Sequence, residues 1–95
     1  MPALIWHPDA LEDVGRLHDF LAQRSPSAAR RGARAIVAAA NKIAAHPHMG
    51  SPCGEFREWP AKFGRYAYVL RYFILNNGDV LVTRVWHSRE QRPVR

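Results

Sequence analysis

An α+β fold of one small domain is predicted for this 95-residue chain by three features. Two amphipathic stretches, each opened by a proline, fill its first half. An Asn-Gly turn joins two strand-like runs in its last third, and a short apolar run precedes the first helix. The resulting order is β-α-α-β-β-β: a short N-terminal strand, an antiparallel helix hairpin, then three antiparallel strands, with both helices on one face of the sheet. Residues 1–95 form a single domain. So short a chain buries only about 60–65% of the surface its unfolded form exposes, so its core is thin.

Residues Ala3 to Trp6 are the first strand, ended by His7-Pro8. Pro8 suits the first helical position, where its missing N–H has no partner to lose, and Asp9, Glu12 and Asp13 favour the positive end of the helix dipole. The first helix runs from about Asp9 to Gln23. Its apolar residues Ala10, Leu11, Val14, Leu17, Phe20 and Leu21 recur at helical spacing, which leaves Asp13, Arg16, Asp19 and Gln23 for solvent. Ser25-Pro26 repeats the cap-then-proline signal and starts the second helix, Pro26 to Ala45. Its stripe is Ala29, Ala33, Ile36, Val37, Ala40, Ile43 and Ala44, and the few residues between the helices make them an antiparallel pair.

His46-Pro47 breaks the second helix, and His48 to Gly54, with its glycines and prolines, reads as a loop. Glu55 to Trp59 is a short or edge strand that Pro60 interrupts. The runs Tyr66 to Leu75 and Val80 to His87 flank Asn76-Asn77-Gly78-Asp79, a strong hairpin signal because glycine takes positive φ without steric cost. In the first arm both alternating sets are largely apolar: Tyr66, Tyr68, Leu70, Tyr72 and Ile74 on one side; Ala67, Val69, Phe73 and Leu75 with Arg71 on the other. A strand of this kind is covered on both faces, or bound by a partner on one. The sheet should hold about four strands, with the hairpin central or beside the first strand.

A net charge of +6 and a pI near 10.5 imply an acidic partner and say nothing about fold. The charge is segregated: Asp9, Glu12, Asp13 and Asp19 lie in the first helical region, and Arg24, Arg30, Arg31 and Arg34 form a basic block after it. The lone Cys53 excludes an internal disulfide and fits a reducing cytoplasm. No signal peptide and no membrane span is expected. Phosphate-binding glycine loops, nucleophile elbows and zinc-helix motifs are absent from the sequence, so no cofactor is expected. His46, His48 and Cys53 are close in sequence but lack a fourth ligand, so no metal is expected either.

The short first strand, Pro8-Asp9-Ala10-Leu11-Glu12-Asp13, the Ser25 to Ala29 link, the His46 to Gly50 break, Tyr68-Val69-Leu70-Arg71-Tyr72 and Arg84-Val85-Trp86-His87-Ser88-Arg89 follow one another in an order that resembles the RelE/ParE superfamily of type II toxins. The resemblance spans about residues 3–90. It implies toxicity in bacteria, a cognate antitoxin protein encoded beside the toxin, and a cytoplasmic site of action.

Within that superfamily the target divides the members. Those resembling RelE cut mRNA on the ribosome with basic residues that stabilise charge on the cleaved backbone; those resembling ParE are associated with inhibition of DNA gyrase. The nucleases carry an arginine three positions before the strand tyrosine, and Val69 stands there relative to Tyr72. Arg89 matches a late basic position, and His87 a general acid of some nucleases, although Ser88 follows where those have tyrosine. The resemblance is therefore closer to ParE: inhibition of gyrase by binding, with no enzyme activity expected. The alternatives are a ribosome-dependent mRNA interferase, an endoribonuclease with His87, Arg89 and Arg84 as candidate catalytic residues, and a non-toxic homologue that binds antitoxin.

For target binding the candidates are Arg71, Arg84, Arg89 and Trp59. Arg71 and Arg84 fall on adjacent arms and can present guanidinium groups together, partly exposed, to phosphates or carboxylates. They can equally pair with Glu55, Glu58 or Asp79. His87 can serve as a general acid, or as a strand-end residue bonded to its neighbours. Trp6 and Trp86 are read as core, and Arg30, Arg31 and Arg34 as a solvated helix face.

Overall fold

The final hairpin forms the middle of the sheet. In the computed structural model, which describes residues 3–94, the elements are β1 (Leu4–Trp6), α1 (Pro8–Ala22), α2 (Pro26–Ala45), a 3-10 turn (Pro47–Met49), β2 (Ser51–Cys53), β3 (Phe56–Phe63), β4 (Tyr66–Ile74) and β5 (Val80–His87). The strand order is β1-β5-β4-β3-β2. β1 runs parallel to β5, with Leu4 opposite Val80, and every other pairing is antiparallel. The sheet is thus mixed and five-stranded where about four were expected.

The additional strand is β2, in the stretch read as a loop. Its three residues pair with Phe56, Arg57 and Glu58 and go no further. That shortness explains a second correction. β3 continues through Pro60, which was expected to interrupt it, because beyond Glu58 the strand is an edge and the absent N–H of Pro60 has no ladder to break.

Both helices are capped as the sequence requires. The Ser25 hydroxyl accepts from the Ala28 N–H at 3.1 Å, and His7 Nδ1 accepts from the Asp9 N–H at 3.0 Å. In the β4–β5 turn Gly78 has φ +90°, and the Asp79 carboxylate accepts from the Ala3 N–H at 2.7 Å, tying β1 to the hairpin.

The core lies between the helix layer and one sheet face. Ile36, Ala40 and Ile43 of α2 and Ala10 and Leu17 of α1 meet Leu70, Tyr72, Val80, Val82 and Val85. A bulge in β5 keeps these valines together. Arg71 pairs with Arg84 but Tyr72 with Val82, so Thr83 is supernumerary, and Val82 and Val85 both point at the helices. Each fully buried aliphatic side chain contributes about 1.5–3 kcal/mol. No helix among the described residues is long and apolar enough to cross a membrane.

Tyr72 anchors the segment after α2. Its hydroxyl donates to the Pro47 carbonyl at 2.6 Å and accepts from the Gly50 N–H at 2.9 Å. A Cβ on Gly50 would overlap that hydroxyl and lie 2.8 Å from Tyr72 Cε1. Gly50 has φ −71° and ψ 153°, which any residue adopts, so the obstacle is steric alone. Gly50→Ala should destabilise the protein by about 1–3 kcal/mol in urea unfolding. An unchanged midpoint would show that the tyrosine is free to move aside.

Candidate functional site

The arginines singled out in the sequence have three different fates. Arg84 is held by Asp13 of α1: Nε donates to Oδ2 at 2.8 Å and Nη2 to Oδ1 at 3.1 Å. The same carboxylate accepts the Val85 N–H at 2.9 Å and Arg16 Nη2 at 3.3 Å. Asp13 was expected to face solvent, yet it is only 5% exposed. The buried residues of α1 are Ala10, Asp13 and Leu17, so the acid lies in the buried stripe itself. An acid at that i, i+3, i+7 spacing was the signal available in the sequence. Burial alone would raise the Asp13 pKa, but the Arg84 and Val85 hydrogen bonds and the Arg84 charge outweigh it and hold the carboxyl below its ordinary value.

Arg71 is 3% exposed, which corrects the expectation that it would be partly open to solvent. It faces away from the helices, where Phe56, Trp86 and the chain after β5 cover it. Its guanidinium lies 4.2 Å from the Phe56 ring centroid and 5.1 Å from that of Trp86. Nε and Nη2 donate to Glu58 Oε2 at 3.2 and 3.1 Å, and Nη2 also donates to the Pro93 carbonyl at 3.1 Å. Arg92 pairs with the other oxygen of Glu58. The chain's own residues Arg92 and Pro93 therefore lie over the Arg71 part of the second face of β4, whereas Val69 and Phe73 stay half-buried and Leu75 and Val94 are exposed. A depression of about 410 Å³, walled by Phe56, Phe73, Arg71, Arg84 and Val94, opens beside it.

Arg89 alone of the three is exposed, at the end of β5. Its guanidinium lies 5.3 Å from the Tyr66 ring centroid, and its N–H donates to His87 Nδ1 at 3.0 Å. That bond leaves Nε2 to carry the proton of a neutral His87. The His87 N–H donates to Glu90 at 2.8 Å, Glu90 also holds Arg16, and the imidazole packs 5.2 Å from the Tyr66 ring and 5.7 Å from the Tyr68 ring. Tyr68 is a poor acid here, its pKa raised by burial and by the charge of Glu90. Trp59 is half-buried against the core, with Lys42 Nζ 5.7 Å from its ring centroid. His87 and Arg89 are thus brought together, whereas Arg71, Arg84 and Trp59 are each committed elsewhere.

His87 and Arg89 border a groove of about 700 Å³ between α1 and the β3–β4 turn. Its floor is Leu17, Leu21, Phe63 and Tyr68, and Phe20, 64% exposed, stands at its edge. Arg16, Arg65 and Arg89 supply cations around it. Leu17, Phe20 and Leu21, expected only in the core stripe, also line this groove, for which the sequence pattern carries no signal. Leu11 and Phe20 of that stripe are 56% and 64% exposed, so its outer part is left uncovered. Among the described residues, no three His, Cys, Asp or Glu side chains converge as metal ligands.

Comparison with known proteins agrees with this architecture. A family model described as the ParE toxin of the type II toxin–antitoxin system parDE matches residues 4–92. Toxin RelE1 of Caulobacter vibrioides is 40% identical over 84 residues, which is 87% of this chain and 89% of that protein. Toxin RelE3 of the same organism is 35% identical over 86 residues, or 90% of this chain and 92% of the relative. A solved structure of a chromosomal ParDE TA system from P. aeruginosa superposes with a TM-score of 0.71 over 92% of this chain and 96% of that one, at 17% identity, and so shares the fold.

The Asp13 cluster makes stability depend on pH in a defined direction. A carboxyl with a lowered folded pKa adds stability that is fully present above its unfolded value, about 3.9, and is lost as pH falls through the folded value. Asp13→Asn should cost about 3 kcal/mol at pH 7, because Arg84 loses its counter-charge while half-sheltered. The cost should shrink below pH 4 in guanidinium melts at several pH values. A cost that stays constant down to pH 2 would contradict this assignment.

Proposed function

Because the chain belongs to the ParE toxin family of type II toxin–antitoxin systems, we propose that it acts by binding DNA gyrase and is neutralised by a cognate antitoxin seated in the groove beside α1. The observation that carries the first half is the commitment of the strand arginines. A phosphodiester-cleaving centre needs cations free to gather around the developing charge. Here Arg71 and Arg84 are tied to Glu58 and Asp13, Val69 offers no cation, and the Pro93 carbonyl takes a further hydrogen bond from Arg71. What stays available is a binding surface: the groove, Arg89, Arg65 and Tyr66.

The groove suits an antitoxin segment of particular chemistry. An amphipathic stretch with apolar anchors would fill the floor of Leu17, Leu21 and Phe63, and acidic side chains would meet Arg65 and Arg89. Such segments commonly order on binding, and the charged rim makes the association weaken with salt. Both gyrase and antitoxin would be met in the cytoplasm, the compartment that suits the lone Cys53.

A second reading, ribosome-dependent cleavage of mRNA, is favoured by one cluster. His87, with Nε2 free to donate a proton, stands beside Arg89 and Tyr66 on the groove rim, and two of the relatives are named RelE. One substitution separates the readings. His87→Gln keeps a hydrogen-bonding side chain and removes the acid function, so under the binding reading it stays toxic when expressed and still induces the DNA-damage response. A harmless His87→Gln variant, with wild-type expression leaving ribosome-dependent mRNA fragments, would overturn the binding reading and establish the nuclease.

A further inference from the structure

The surplus positive charge is concentrated on one helix face. Most of the arginines elsewhere are matched: Arg84 and Arg16 by Asp13 and Glu90, Arg71 and Arg92 by Glu58, while Arg65 and Arg89 at the groove rim form no ion pair among the described residues. Arg57 donates to the His48 and Gly50 carbonyls. α2 contains no acidic residue over Pro26–Ala45. Arg30, Arg31 and Arg34 are all exposed on its first half, and Arg24 is exposed just before it. Among the described residues Arg24, Arg30 and Arg34 form no ion pair, and Arg31 only donates to the Ser27 hydroxyl at 2.6 Å. Like charges at i, i+4 spacing repel, so this arrangement is one that the isolated helix does not favour.

We propose that the first half of α2 is a docking face for the phosphate backbone of duplex DNA. Arg30 and Arg34 project from one side about 6 Å apart along the axis, with Arg31 flanking them. The face is poor in the features other partners need. A protein interface is built around buried apolar or aromatic anchors; the exposed residues from Ser27 to Arg34 supply none, and Val37, 46% exposed one turn further on, is the one large exposed apolar side chain of α2. Single-stranded nucleic acid is held by stacking on aromatic rings, and α2 has no aromatic residue at all. Guanidinium groups without anchors or rings match a regular array of phosphates, read without regard to sequence. This surface is separate from the apolar groove beside α1, and the proposal does not depend on whether gyrase or the ribosome is the target.

The test is fluorescence anisotropy of a short labelled DNA duplex with the purified chain across a salt series. The wild type should bind, with log K falling linearly against log salt. R30Q/R34Q should flatten that slope by about 1.8 units, one phosphate contact being lost for each arginine. R30K/R34K, which keeps the charge, should retain the slope, showing that the helix is intact. K62Q/R65Q, which removes one exposed cation from β3 and one from the β3–β4 turn, should leave it unchanged. Equal flattening in R30Q/R34Q and K62Q/R65Q would reduce the effect to net charge and overturn the proposal. So would an absence of binding by the wild type, or displacement of the duplex by lower concentrations of polyglutamate or of single-stranded RNA of the same length.

Discussion

The carboxylate of Asp13 joins the helix layer to the sheet. β1 ends at Trp6, opposite Val82, so the edge of β5 beyond it has no strand partner. Asp13 supplies one from a helix: it accepts the Val85 N–H and holds the Arg84 guanidinium in the same contact. An unpaired N–H buried at that edge would cost about 1–3 kcal/mol, and an unpaired carboxylate more. The two needs are met together. With α1 fixed against β5 at this point, Leu17 and Leu21 fall on the groove floor, Phe20 on its edge, and Arg16 reaches Glu90 after β5.

The same economy governs the opposite sheet face. Glu58 holds Arg71 through one oxygen and Arg92 through the other, while Phe56 and Trp86 cover the guanidinium of Arg71. Two acids thus absorb most of the arginines that the sequence places on strands. Neither arrangement leaves a cation free to approach a substrate phosphate. The consequence is a protein whose interior cations are structural and whose exposed arginines without an acidic partner lie on or just before α2, in the β3–β4 turn and at Arg89. Charge that is spread over surfaces suits recognition, whereas catalysis of phosphodiester cleavage needs it gathered at one point.

Much of the fold could be read from local chemistry. Ser25-Pro26 and Pro8 mark the helix starts, and Asn77-Gly78 marks the hairpin, because each signal depends on one or two residues and no distant partner. β2 and the continuation of β3 through Pro60 could not be read that way, since both depend on how far a neighbouring strand extends. The site was less legible for the same reason. Whether Arg71 faces solvent or Glu58 is decided by Glu58↔Arg71 register and by the position of Pro93. Asp13 did carry a local sign, an acid inside an apolar stripe, but its partners Arg84 and Val85 lie 71 and 72 residues away. Family resemblance reached further than periodicity, correctly indicating the toxin class and the helix-on-sheet layout.

The proposed action is by binding, with the strand arginines held in structural pairs. The most direct measurement places the purified chain in two assays at once: DNA supercoiling by purified gyrase, and mRNA integrity on purified translating ribosomes. The account expects supercoiling to stop, to recover when a cognate antitoxin is added, and the mRNA to remain whole. Cleaved mRNA with undisturbed supercoiling would contradict it.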